Sequence, residues 1–166
     1  MNDQSEIQIW KECKEEKVLI LILDPKQLWK FEEKTDSLIY IKNQLEKNVL
    51  TLKLDGTVEL MMEQDANNNM MWSTQRKGSM IYIQNDSNLK VLTLKQDNVT
   101  VELMDKDTKD YSQLWRKGTP NIEGYFTLEN YQTKTFMTAT SNVHLAVKGM
   151  MSNLNYPVLH LKRLFL

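Results

Sequence analysis

Short runs of alternating apolar and polar residues recur along this chain, and they recur as copies. Leu38-Ile39-Tyr40-Ile41-Lys42-Asn43 is matched by Met80-Ile81-Tyr82-Ile83-Gln84-Asn85, and Val49-Leu50-Thr51-Leu52 by Val91-Leu92-Thr93-Leu94. Val58-Glu59-Leu60-Met61 is matched by Val101-Glu102-Leu103-Met104. Ahead of each set stands a tryptophan: Trp29, Trp72 and Trp115 lie 43 residues apart each time. A worn third copy follows Trp115, with Tyr125-Phe126-Thr127-Leu128-Glu129-Asn130, then Phe136-Met137-Thr138-Ala139, then Val143-His144-Leu145-Ala146. In the closing element Val158-Leu159-His160-Leu161, a histidine falls about where the next tryptophan would stand. A fixed period of this length means one supersecondary unit per copy, each unable to bury its apolar face alone.

Period-two alternation with β-branched and aromatic enrichment is the signal of half-buried strands. Turn formers separate the runs, as in Leu54-Asp55-Gly56-Thr57 and Gln96-Asp97-Asn98. Four strands per copy and three copies predict an all-β domain of about twelve strands. A propeller needs at least about four blades, whereas three-fold closure into a small barrel with a hairpin cap, a β-trefoil, fits the count. Closure also removes exposed strand edges. The domain is expected over residues 27–166, after an N-terminal extension or partial extra repeat over 1–26. That extension either supplies an opening strand or wraps outside. Gln27–Phe31 and Leu159–Phe165 are expected to lie close together.

Composition changes this picture little. The chain has 166 residues, enough for one domain that buries about 70% of its unfolded surface. A net charge of −1 gives no reason to expect nucleic acid or an anionic membrane as partner. The longest apolar run, Val18 to Leu23, is far short of the roughly 20 residues of a spanning helix. One cysteine, Cys13, excludes an internal disulfide and points to an intracellular, cytoplasmic address. The stretch 141–166 holds three basic residues and no acidic one, facing an acidic excess over 1–36.

Gln27-Leu28-Trp29 and Gln113-Leu114-Trp115, recurring in register, resemble the Gln-x-Trp signature of ricin B-type β-trefoil lectins. Copy two departs with Met70-Met71-Trp72. The resemblance covers roughly residues 27–166 and implies that the three tryptophans are structural. It also implies a sugar site built from an aspartate, an aromatic ring and an asparagine before Gln-x-Trp. A carboxylate accepts from vicinal hydroxyls, a ring covers the apolar face of the hexose, and an amide completes the hydrogen bonds. In this chain the aspartate positions hold Thr51, Thr93 and Thr138, and the aromatic positions hold Met61, Met104 and Ala146. Asn69 matches the asparagine, with Ser112 at the approach to copy three. The inherited galactose pocket is therefore expected to be lost. Thr51, Met61, Asn69, Thr93, Met104 and Ser112 remain the candidate binding residues. The threonines read either as β-branched strand residues or as a remodelled hydroxyl-lined pocket. Of the ten methionines, most read as core filler, and the pairs Met61-Met62, Met70-Met71 and Met150-Met151 could offer a partner-binding face.

Two histidines, His144 and His160, cannot hold zinc alone, and no metal-spaced cluster accompanies them. Neither a phosphate loop nor a nucleophile elbow is present. The expectation is a non-catalytic binding module with no cofactor and no metal. A protein surface is favoured as partner, and a glycan is the alternative. A protease inhibitor presenting residues 64–69 or 105–111 is the second alternative.

Overall fold

The computed structural model describes residues 24–64, 67–140 and 145–149. The expectations for Cys13, His144, His160 and Met150-Met151 lie outside these residues. So do those for the 1–23 part of the extension, Val158–Leu161 and the basic end, and the nearness of Gln27–Phe31 to Leu159–Phe165.

Twelve strands are present among the described residues, four per copy, as the repeat predicts. Copy one comprises β1 (Leu28–Glu33), β2 (Ile39–Asn43), β3 (Val49–Leu52) and β4 (Val58–Met61). Copy two comprises β5 (Trp72–Lys77), β6 (Met80–Asn85), β7 (Val91–Leu94) and β8 (Val101–Met104). Copy three comprises β9 (Trp115–Lys117), β10 (Phe126–Asn130), β11 (Phe136–Ala139) and β12 (Leu145–Lys148). The first two strands of each copy pair antiparallel. The copies are joined by β2 to β5, β6 to β9 and β10 back to β1. Those six strands therefore close on themselves. The remaining strands form the hairpins β3–β4, β7–β8 and β11–β12, whose outer strands β4, β8 and β12 meet one another and cap one end of the barrel. The architecture is a β-trefoil.

The three tryptophans have no exposed surface and sit in one core cluster with Ile41, Ile83, Leu128 and the cap residues Leu50, Leu92 and Met137. Each indole N–H donates to a cap-strand carbonyl: Trp72 to Leu50 at 2.8 Å, Trp115 to Leu92 at 2.9 Å and Trp29 to Met137 at 2.9 Å. Each bond runs from one copy to the copy before it, and the last passes from copy one to copy three. A large apolar side chain with one donor is suited to this, since its buried N–H must find a partner.

Three asparagines that end β2, β6 and β10 are also fully buried: Asn43, Asn85 and Asn130. Asn85 donates to the carbonyls of Asn69 and Met71 and accepts from the Ser87 N–H. Asn43 does the same with Lys26, Leu28, Leu45 and Glu46. Each asparagine thus clamps the segment leading into the tryptophan strand to its own turn. Those turns close through Lys47, Leu89 and Lys134, each at φ near 60° and four residues after its asparagine.

A three-residue 3₁₀ turn precedes each tryptophan strand, over Pro25–Gln27, Asn68–Met70 and Tyr111–Gln113. Asp24, Asn67 and Asp110 cap them through side-chain oxygens that accept a backbone N–H. The buried Gln27 and Gln113 amides donate to the carbonyls of Gly149 and Asp105, each just past the last strand of the preceding copy. Met70 fills that place in copy two with apolar contact to Tyr40 and Val49.

Copy one carries an outer ion network. Lys42 pairs with Glu32 and Glu63 at 2.6 Å each, and Lys34 pairs with Glu32 and, at 2.8 Å, with Glu63. Hydrogen bonds from Lys34 and then Lys42 hold both carboxyls below their ordinary value of 4.5. A carboxyl depressed on folding adds stability above its unfolded pKa and loses it as pH falls through the folded value, so the loss begins below about pH 4.5. Thermal melts from pH 7 down to 3 should show a steeper acid loss for the wild type than for a Glu32→Gln/Glu63→Gln double variant. High salt should shrink the gap, because the groups are part-exposed. Parallel acid slopes would remove the network as a stabilising element.

Candidate functional site

The predicted binding residues converge in two groups. Thr51, Met61 and Asn69 line one open pocket of about 380 Å³ beside the β3–β4 hairpin. Thr93, Met104 and Ser112 line an equivalent pocket of about 410 Å³ beside β7–β8. Each pocket is built from the second half of one copy and the 3₁₀ turn that opens the next. Asn69 therefore serves copy one and Ser112 copy two.

The threonines are structural in their hydrogen bonding. Thr51, Thr93 and Thr138 are all buried, and their hydroxyls donate to the carbonyls of Val49, Val91 and Phe136. Each hydroxyl keeps acceptor capacity at the pocket floor but no free proton. In copy three the Gln27 amide donates to Thr138 Oγ1 at 3.2 Å, occupying that capacity.

The assignment of Ala146 to the position of Met61 and Met104 is corrected by strand register. Met61 pairs with Val49 and Met104 with Val91, while the residue facing Phe136 is Lys148. Ala146 instead faces Thr138, as Glu59 faces Thr51. Copy three thus carries an ammonium where the other two carry thioethers.

Residues expected in turns and loops, not among the candidate binding residues, complete the pockets. In copy one these are Leu54 and Asp55 in the hairpin turn and Asn67 on the 3₁₀ turn. In copy two they are Lys95, Gln96, Asp97, Glu102 and Asp110. The cap residues Asp24, Asn67 and Asp110 each stand five positions before a tryptophan, a recurrence that was visible in the sequence. Asp55 accepts from the Thr57 hydroxyl and N–H, and the hydroxyl bond chiefly lowers its pKa. Asp97 is held low in the same way by Thr100. Asp55 braces its turn through Oδ1 alone, and Asp97 through both oxygens. Glu102 is paired with Lys95 at 3.0 Å. Asp110 accepts twice from Ser112 through Oδ1. Asn69 Oδ1 accepts from the Ser87 hydroxyl at 2.9 Å.

The two described methionine pairs lie at element ends, Met62 just past β4 and Met70-Met71 closing a 3₁₀ turn. Met61 is half-buried against Tyr40 and Val49, while Met62 is exposed. Met70 is buried and Met71 half-buried. Leu54, at the rim of the copy-one pocket, is fully exposed. No aromatic side chain lines either pocket. Among the described residues there is no group of three or more His, Cys, Asp or Glu that could hold a metal ion. Likewise no helix there is long and apolar enough to cross a membrane.

No protein-family model matches this sequence, and no curated protein matches it. Solved structures do resemble its fold. A GlcNAcα1-4Gal-releasing endo-β-galactosidase from Clostridium perfringens aligns over 72% of this chain and 30% of its own, with a TM-score of 0.63 and 15% identity. The chain therefore spans under a third of that protein's length. The designed three-fold symmetric protein ThreeFoil aligns over 70% of this chain and 91% of its own, at TM-score 0.62 and 11% identity. SeviL, solved with an asialo-GM1 saccharide, aligns over 70% and 90%, at TM-score 0.58 and 18% identity. At these identities the likeness concerns the backbone alone, which is a β-trefoil.

Proposed function

We propose that this chain is a non-catalytic recognition module that engages a protein partner at its two equivalent pockets. The observation that carries this reading is the chemistry of the copy-one pocket. An exposed Leu54 and a half-buried Met61 flank it, its threonine hydroxyl is donated to the backbone, and its one carboxylate, Asp55, braces its own turn through Oδ1. Aliphatic walls with a polar fringe suit a protein side chain, and methionine adapts to such contacts. A hexose would want a stacking ring, and no aromatic side chain lines this pocket.

Leu54→Asp should weaken partner binding by at least about tenfold, as loss of a central apolar anchor does. Leu45→Asp, an exposed change outside the pocket lining, serves as the control. The check is quantitative mass spectrometry of proteins retained from an extract of the source cell by each immobilised form. A stoichiometric protein kept by the wild type and the control but lost on Leu54→Asp supports the reading. If every retained protein ignores Leu54→Asp, the pocket is not the contact.

A glycan is the second reading, favoured by the copy-two pocket, where Asp110 and Glu102 stand beside Ser112. The lectins whose backbone this chain resembles lend it support. Glycan-array binding that falls on Asp110→Asn would favour this reading over the first.

A further inference from the structure

The open end of the barrel, opposite the hairpin cap, holds two cations, Lys117 and Arg76, with no acid partner among the described residues. Lys117 occupies the register of Phe31 and Thr74: it faces Leu128 as they face Ile41 and Ile83. Alternation places all three on the side of the indoles, toward the barrel lumen. Phe31 accordingly packs on the core, and Ile39, Ile81 and Phe126 line the same level. The Lys117 ammonium lies 4.1 Å from the centroid of Phe126 and 5.2 Å from that of Phe31. Those rings meet edge to face at 4.8 Å.

Among the described residues, neither Lys117 nor Arg76 makes an ion pair, and Glu33 at the end of β1 reaches neither. Burial pushes the Lys117 amine below the ordinary lysine range, and the charge of Arg76 adds to the push. Cation–π attraction offsets part of that cost, yet the charge of Arg76 still opposes that of the Lys117 ammonium.

We propose that the barrel mouth is a binding site for a small amphipathic carboxylate, its anion on Lys117 and Arg76 and its apolar part over the half-buried Phe31. Lys117 and Arg76 are both exposed, so an anion can reach them, relieve their repulsion and form charge-assisted bonds with both. A bare anion gains nothing from the rings, and a neutral aromatic gains nothing from the cations. Both halves of the ligand are therefore required. The site is independent of the hairpin pockets.

The test titrates the isotopically labelled full chain with benzoate, acetate and benzyl alcohol, following amide resonances and the Lys117 ammonium by NMR. Benzoate should shift residues around Phe31, Lys117 and Phe126 saturably, and about tenfold more tightly than either acetate or benzyl alcohol. Lys117→Met and, separately, Arg76→Gln should each weaken benzoate by about tenfold while leaving the remaining amide spectrum in place. Should Lys117→Met disturb the fold, Arg76→Gln at the exposed rim carries the comparison. Shifts scattered over surface lysines, equal affinity for acetate or benzyl alcohol, or benzoate binding unchanged in the folded variants would each overturn the proposal. None of these results bears on Leu54→Asp.

Discussion

Trp72→Ala should cost about 3–5 kcal/mol, a large share of the 5–15 kcal/mol that holds a typical domain together. The indole is wholly buried among residues of all three copies, so truncation opens a cavity at the point where they meet. It also orphans the Leu50 carbonyl, which accepts the indole N–H at 2.8 Å. Trp72→Phe separates the two effects. It keeps most of the apolar volume and loses the donor, for which about 1–3 kcal/mol is expected. Urea unfolding followed by circular dichroism reads both. A midpoint for Trp72→Ala close to that of the wild type would mean that the indole is not a core element. Because Trp29 and Trp115 make the same bond to Met137 and Leu92, alanine at either should act alike.

The second large effect comes from a polar residue. Asn85→Leu should destabilise by about 3 kcal/mol, although it replaces an amide by an apolar side chain of similar size in a buried place. The Asn69 carbonyl loses this donor, the Met71 carbonyl keeps only the Asp86 N–H, and the Ser87 N–H loses its acceptor. These groups are part-buried, so water replaces the lost bonds incompletely. Asn88→Ala provides the contrast, since its side chain is exposed and accepts only from the Lys90 N–H. It should stay within about 0.5–1 kcal/mol of the wild type. If chemical denaturation finds the two substitutions equal, the clamp formed by Asn43, Asn85 and Asn130 is dispensable.

The strand count and three-fold organisation were legible because burying one face of every strand writes a period of two, and copying the unit writes a period of 43. Register was less legible. Val143-His144-Leu145-Ala146 looked equivalent to Val58-Glu59-Leu60-Met61, but pairing sets Leu145–Lys148 against Phe136–Ala139. A slip of two residues returns every side chain to the same face, so alternation cannot detect it, whereas a slip of one would invert the pattern. The buried asparagines were hidden for a different reason. An amide at a strand end reads as the start of a turn, and nothing in the sequence says that it faces inward. The 3₁₀ turns are too short to carry a periodic signal. The candidate pocket was legible in Thr51, Met61, Asn69, Thr93, Met104 and Ser112, which do come together. Leu54 and Asp110 were not, because turn and cap residues are chosen first for backbone geometry and only incidentally face a cleft.

The whole account rests on closure of the barrel through three indole-to-carbonyl bonds between successive copies. Hydrogen exchange of the Trp29, Trp72 and Trp115 Nε1 protons, followed by NMR in deuterated buffer, tests it most directly. Closure predicts three strongly protected indole protons that exchange only with global unfolding and share one opening free energy. Rapid exchange of any one of them, or three unrelated opening energies, would show that the copies do not form a single closed core.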